Sequence, residues 1–99
     1  GGDINPYLLV AAILGAALNG IEDGSEPPAP ITGNAYDKEL THLPANWGAA
    51  IEAFATSPEI ARIFPKDLIK NFLATKRQEF HYMSELSPEE QMDLYLDTV

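Results

Sequence analysis

The stretch that decides the fold is NPYLLVAAILGAALNG, residues 5–20. Asn5 and Pro6 form a helix start, because an Asn side chain accepts hydrogen bonds from the free amides of a first turn and proline at the first position already has a helical φ. Gly20 supplies the left-handed residue that commonly ends a helix. We therefore predict a helix over residues 6–19.

This predicted helix is apolar on every side. Leucine, isoleucine, valine and alanine fill residues 8–18 except for one glycine, so no polar stripe is left to face water. One interpretation is a central core helix of a small bundle. We favour the other, in which polypeptide outside these 99 residues covers the helix, because a chain this short can hardly cover it alone. The missing initiator methionine agrees with a piece of a larger protein.

Residues 20–45 predict a long proline-rich loop. Half of the eight prolines lie within residues 22–46, and the segment has neither a helical nor a strand-like apolar period. Loops of this length are usually functional or wrapped over a neighbour.

Helical periodicity returns over residues 46–97. Ser57 and Pro58 open a short helix, Pro65 precedes a long one, and Ser87 with Glu90 forms a capping box for a last helix that runs to about Asp97. The predicted fold class is mainly α, with four or five helices and no confident strand. The predicted buried positions are Trp47, Ile51, Phe54, Ala55, Leu68, Ile69, Phe72, Leu73, Phe80, Met83, Met92, Tyr95, Leu96 and Val99.

Composition excludes several classes of function. Six Lys and Arg against fifteen Asp and Glu give a formal charge of −9, which would repel a nucleic-acid backbone. The longest apolar stretch has twelve residues, short of the roughly twenty that cross a bilayer. The absence of cysteine removes disulfides and thiolate chemistry and agrees with a reducing compartment. We expect a cytoplasmic protein without a nucleic-acid or membrane partner.

A catalytic constellation is missing from the sequence. His42 and His81 lack the spacing of a zinc site, the glycines form no phosphate-binding loop, and no serine lies in a nucleophile elbow. Glu22, Asp23 and Glu26 are the densest acidic group, but the prolines that follow break a calcium-loop pattern. We predict no catalytic, cofactor-binding or metal-binding residue in this chain.

The segment GDINPYL at residues 2–8, with the apolar helix and LNGIE at residues 18–22, resembles the C-terminal region of the glutamine synthetase family. The stretch GNAY at residues 33–36 and scattered later positions are similar to the branch that includes γ-glutamylpolyamine synthetases. The positions that carry the family motif are Asn5, Pro6, Tyr7 and Leu8.

The resemblance implies that residues 1–99 are the C-terminal helical part of a glutamine synthetase-type catalytic domain. Such enzymes are ATP-dependent ligases that activate a carboxylate as an acyl phosphate, which ammonia or a polyamine then attacks, with Mg²⁺ or Mn²⁺ as clamps. The family's metal-binding glutamates and phosphate-binding arginines precede the N-P-Y-L motif. The resemblance therefore implies an inactive piece that packs on the rest of its catalytic domain within a ring-shaped homo-oligomer, with an amine acceptor favoured over ammonia.

Tyr36 is a possible regulatory residue. Residues 34–37, Asn-Ala-Tyr-Asp, resemble the N-L-Y-D-L site that is adenylylated in some bacterial glutamine synthetases, although Lys38 departs from that pattern. We favour instead a loop tyrosine packed against its own domain. Lys76 and Arg77 resemble a phosphate clamp, but on the polar face of a helix we predict solvated bases paired with acidic neighbours such as Glu79.

The alternative to the ligase interpretation is a freestanding acidic helical module. Its apolar first helix would dock a separate protein, and its acidic C-terminal segment would meet a basic partner.

Overall fold

The computed structural model describes residues 4–96, and helices dominate them. No strand occurs within that range, which confirms the predicted mainly α class. Asp97 and Val99, predicted for the end of the last helix, lie outside the described residues. The helices are α1 (Pro6–Asp23), α2 (Trp47–Thr56), α3 (Pro58–Ile63), α4 (Lys66–Ser84) and α5 (Pro88–Leu96), with a short 3₁₀ turn at Ala35–Asp37.

α1 begins as predicted. Asn5 Oδ1 accepts hydrogen bonds from the amides of Tyr7, at 3.0 Å, and Leu8, at 3.1 Å. Pro6 is the first helical residue and has no amide to satisfy. The family-motif residues thus have a local role, because they fix the start of the helix.

The predicted end of α1 at Asn19 is wrong. The helix continues through Gly20 to Asp23, and Gly24 is the residue that turns left-handed, with φ +63°. The Ser25 amide then donates to the carbonyl of Gly20 at 2.9 Å, which closes the helix end. Gly20 and Gly24 can each adopt the left-handed conformation that ends a helix, and α1 ends at the second of them.

α1 packs closely on α3. A Cβ built on Gly15 would lie 2.6 Å from Cγ2 of Ile63, so only glycine allows this approach without movement. One turn further along, Asn19 is buried at 9% exposure, and its Nδ2 lies 3.5 Å from Oε2 of Glu59. The contact uses one narrow side of α1.

Aromatic side chains join α2 to α4. The Phe54 ring lies 5.3 Å from that of Phe72 and 6.4 Å from that of Phe64, centroid to centroid. Within residues 4–96 the buried apolar side chains are Ile51, Phe64 and Met83, and each keeps a small exposed fraction. This is a very small core for a chain of this length.

Several predicted core positions are not buried. Phe80 meets the Trp47 ring edge to face at 5.5 Å, yet it remains 39% exposed. Met92 and Leu96 of α5 are also exposed. Periodicity identified an apolar face in each case, but the rest of residues 4–96 covers it only in part.

The long loop between α1 and α2 is present, although it begins later than predicted. Residues 25–46 are exposed throughout and contain only the short 3₁₀ turn. The capping box of α5 is confirmed, since Ser87 N–H donates to Glu90 Oε2 at 2.8 Å and Glu90 N–H donates to Ser87 Oγ at 3.3 Å. None of the helices within residues 4–96 is both long and apolar enough to cross a membrane.

Candidate docking surface

One broad side of α1 faces away from the rest of the chain. Leu14 is 64% exposed and Ile21 is 78% exposed. Full burial of an aliphatic side chain of this kind stabilises a protein by about 1.5–3 kcal/mol. Several such side chains together therefore strongly favour burial against another surface. We call this side the α1 outer face; it comprises Tyr7, Val10, Ile13, Leu14, Leu18 and Ile21.

The opposite side of α1 meets α3. Leu8, Ala12, Gly15 and Asn19 recur at helical spacing and are the less exposed positions of the helix. Within residues 4–96 only this side of α1 is sheltered, which agrees with the expectation that the chain alone does not cover the helix. Contiguous apolar surface of this extent marks an interaction site in most proteins.

A large apolar cleft opens between the N-terminal half of α1 and helices α4 and α5. Its volume is about 1460 Å³. Tyr7 lines the cleft and also belongs to the α1 outer face, so the two surfaces are continuous. We call it the apolar cleft; its walls include Tyr7, Leu8, Phe72, Met83, Met92 and Tyr95.

Charged groups on the cleft wall neutralise one another. Lys76 Nζ lies 2.7 Å from Oε2 of Glu79, and Tyr95 donates its hydroxyl hydrogen to Glu79 Oε1 at 2.6 Å. The hydrogen bonds from Lys76 and, secondly, Tyr95 hold the pKa of Glu79 below its ordinary value. The Glu79 side chain is partly buried, because Lys76 and Tyr95 of α5 both contact it.

Polar contacts also hold α5 on α4. Gln91 Nε2 donates to the carbonyl of Met83 at 2.9 Å and to that of Leu86 at 3.1 Å. With the Tyr95 hydroxyl on Glu79, these bonds connect both halves of α5 to the end of α4. These contacts are not predictable from the sequence, because they join residues 5, 8 and 16 positions apart and leave no local pattern.

We expect acid to loosen α5. Because the pKa of Glu79 is lower in the folded chain than in the unfolded one, its contribution to stability is present above the unfolded-state pKa near 4.5 and is lost as the pH falls through the folded-state value. Since the group is partly exposed, we expect a loss of about 1 kcal/mol or less. Amide hydrogen exchange in α5 should accelerate at low pH.

Tyr95→Phe removes the hydroxyl that α5 contributes and should reduce this pH dependence, while the hydrogen bond from Lys76 preserves part of it. Tyr82→Phe is the matched control, since Tyr82 is exposed on α4, and it should retain the dependence of the parent chain. Equal pH profiles for Tyr95→Phe and the parent would contradict the role of this bond.

The acidic group at the end of α1 is part of an ion-pair cluster. Arg62 of α3 donates two hydrogen bonds to Asp23, at 2.6 and 3.0 Å, and one to Glu22, at 3.1 Å. The hydrogen bond from Arg62 is the main cause that lowers the pKa of Asp23, and the same bond raises the pKa of Arg62. Acidic side chains at a helix C-terminus are repelled by the negative end of the helix dipole. The positive charge of Arg62 offsets this repulsion.

Within the part of the chain that the structure describes, no three His, Asp or Glu side chains lie together in a way that could hold a metal ion. Glu22 and Asp23 face Arg62 instead.

Tyr36 is uncovered within residues 4–96, and its favoured packing against the rest of the domain stays a prediction. It lies in the 3₁₀ turn, which starts where Asn34 Oδ1 accepts from the Tyr36 amide at 3.1 Å, and it is 93% exposed. This turn is a local structure that keeps the residue at the surface. Its possible regulation stays a prediction.

The basic pair of α4 forms ion pairs. Lys76 forms an ion pair with Glu79, as predicted. Arg77 instead pairs with Glu52 of α2, with Nη2 2.9 Å from Oε1. His81 is an exposed helical residue with Nε2 3.6 Å from Oε1 of Glu85. His42 is exposed in the loop.

Comparison with known proteins gives a consistent result. The family model described as glutamine synthetase, catalytic domain, matches residues 1–95. The chain is 37% identical over 79 residues to gamma-glutamylethanolamide synthetase of Streptomyces coelicolor, an alignment that covers 80% of this chain and 17% of the relative. It is 35% identical over 103 residues to glutamate–isopropylamine ligase of a Pseudomonas species, covering all of this chain and 22% of the relative.

More distant relatives include glutamine synthetase of Staphylococcus epidermidis, 28% identical over 100 residues, with 93% of this chain and 22% of the relative covered. The chain thus spans about a fifth of the length of the curated relatives it matches. No solved structure matches it.

Proposed function

This chain belongs to the glutamine synthetase family, and from that membership we propose that it is the C-terminal helical portion of an ATP-dependent ligase that joins the γ-carboxylate of glutamate to an amine. The match to the catalytic-domain model over residues 1–95 carries the proposal. The exposed α1 outer face supports it, because a helix apolar on all sides suits the inside of a larger body.

An amine acceptor is favoured over ammonia. The two relatives named for amine products or substrates are 37% and 35% identical to this chain, whereas the Staphylococcus glutamine synthetase is 28% identical. The proposal therefore places the chain with ligases for amines or polyamines.

ATP and Mg²⁺ or Mn²⁺ belong, in this proposal, to the remainder of the ligase. We propose that this chain contributes packing surface to that ligase, and the exposed α1 outer face supports this role. Its partners would be the rest of its own catalytic domain and further copies in a ring, in the cytoplasm where ATP is abundant. The charge of −9 argues against a nucleic-acid partner.

A chimeric enzyme tests the proposal. The glutamate–isopropylamine ligase is rebuilt with its matching segment replaced by residues 1–99, and we refer to this protein as the chimera. We expect the 99-residue chain alone to give no γ-glutamyl hydroxamate with ATP and metal, and the chimera to form γ-glutamylisopropylamide at a rate within about tenfold of the parent ligase, a barrier change of about 1.4 kcal/mol or less. The parent ligase with that segment deleted is the control and should be inactive.

Two results would contradict the proposal. Turnover by the 99-residue chain alone would show reacting groups within it. A chimera that is folded but inactive, together with a 99-residue chain that unfolds cooperatively as a stable monomer, would favour the freestanding interaction module instead.

A further inference from the structure

We propose that Asn19 and Gly20 form a deamidation site, which the docking of α1 on α3 protects and whose reaction releases α1 from α3 irreversibly. The reaction requires only these two residues and water, so it is independent of the proposed function.

Asn19–Gly20 is the one Asn-Gly pair in the sequence. The backbone nitrogen of a glycine can attack Cγ of a preceding asparagine, because glycine has no Cβ to obstruct the approach. The N–Cγ bond forms, the Cγ–Nδ2 bond breaks, and the amide proton leaves with the side-chain nitrogen as ammonia. Water then opens the five-membered succinimide ring to give aspartate or isoaspartate. The overall reaction consumes a water molecule and releases ammonia.

The helix holds this pair in an unreactive conformation. Asn19 and Gly20 both lie inside α1, where backbone amides belong to the helical hydrogen-bond ladder. Closure of the succinimide ring requires ψ of Asn19 to leave its helical value of about −42°. The Gly20 nitrogen therefore reaches Cγ only when this turn of the helix opens.

Tertiary contacts add to the protection, since Asn19 lies in the middle of the contact between α1 and α3. Its side chain is 9% exposed, and its Nδ2 lies 3.5 Å from Oε2 of Glu59. Gly15 packs against Ile63 one turn before it, and the ion pairs of Arg62 hold the turn that follows. Opening of the helix at Asn19 therefore disturbs contacts on both sides.

The products do not suit the position that Asn19 occupies. An aspartate would place a second carboxylate beside that of Glu59, and like charges at a poorly hydrated position repel each other. An isoaspartate adds a carbon atom to the main chain, which interrupts the hydrogen-bond pattern of the helix. Either product displaces the turn that carries Glu22 and Asp23 to Arg62. Because the ammonia is lost, the change is not reversed.

Peptide mass spectrometry tests the protection. The 99-residue chain and a synthetic peptide of residues 15–24, which is too short to form a stable helix in water, are kept in the same warm neutral buffer. We expect conversion of Asn19 to be at least about tenfold slower in the chain than in the peptide, an opening free energy of about 1.4 kcal/mol or more. Equal rates would overturn the proposal.

Gly20→Ala tests the chemistry. A Cβ at Gly20 would meet nothing within 4 Å, so alanine fits the helix, and its methyl group obstructs the attacking nitrogen. Conversion in the peptide should become at least about tenfold slower. An unchanged rate would contradict attack by the Gly20 nitrogen.

Arg62→Ala tests the contribution of the α1–α3 contact. The substitution removes the ion pairs at the end of α1, so conversion of Asn19 in the chain should accelerate at least about twofold. Arg77→Ala is the matched control, because it breaks an ion pair between α4 and α2 and should leave the rate unchanged. The same rate in Arg62→Ala as in the parent would overturn protection by this contact.

The structural consequence is measured on the modified chain, which carries an additional negative charge and separates from the parent by anion exchange. Amide hydrogen exchange over residues 16–23 should be at least about tenfold faster in the modified chain. Unchanged protection of these amides would overturn the inferred release of α1 from α3.

Discussion

Replacing Leu14 by aspartate is expected to affect the 99-residue chain and the chimera differently. Leu14 lies on the α1 outer face and is 64% exposed, so a carboxylate there stays in water in the isolated chain. Helical content should be unchanged, and the chain should stay monomeric to a higher concentration, as measured by circular dichroism and sedimentation velocity.

In the chimera the same change should reduce ligase activity at least about 100-fold, because an unpaired carboxylate buried in an apolar interface costs several kcal/mol. Gln78→Asp is the matched control, since it adds the same charge at an exposed position of α4 and should leave both proteins unaffected. Unfolding of the isolated chain by Leu14→Asp would show instead that this face is already part of its own core.

Phe64→Ala is expected to have the largest effect on the stability of the isolated chain. Phe64 follows α3, is 9% exposed and packs beside Phe54. Truncation of a buried phenylalanine costs about 3 kcal/mol or more. Within residues 4–96 the buried apolar side chains are very few, so this loss is a large share of the total stability.

The thermal midpoint should fall by about 15 °C or the cooperative transition should disappear, since 1 kcal/mol shifts the midpoint of a domain of this size by about 4–8 °C. Far-UV circular dichroism measures the thermal midpoint. Phe80→Ala is the control, because Phe80 is 39% exposed and should cost less than half as much. Equal effects of the two substitutions would contradict the assignment of the core to the Phe54 cluster.

Local signals predicted the helices well. The Asn5 cap and the Ser87–Glu90 box join residues only a few positions apart, so the sequence alone was enough to predict them. The end of α1 was not predictable in this way, because Gly20 and Gly24 are both suitable. The extra turn carries Glu22 and Asp23 to Arg62, about 40 residues later, and no local rule contains that contact.

The docking surface was only partly predictable. Apolar residues all round α1 indicated that the helix lacks cover, and the exposure of Leu14 agrees. The cleft depends on how α1, α4 and α5 are arranged, and the Tyr95–Glu79 bond that positions α5 is a tertiary contact. The exposure of Tyr36 within residues 4–96 follows from a short asparagine-started turn, a local structure that the apolar pattern of the sequence does not reveal.

The Arg62 cluster has a consequence for how sequences of this kind can diverge. It joins the last turn of α1 to α3 directly, beside the close packing of Gly15 on Ile63, so the contact between the two helices does not run through residues 25–46. The entropy of closing a loop changes by only about 0.6 kcal/mol for each doubling of its length. Insertions and deletions between Gly24 and Asn46 should therefore accumulate during evolution while the helices on either side stay in register.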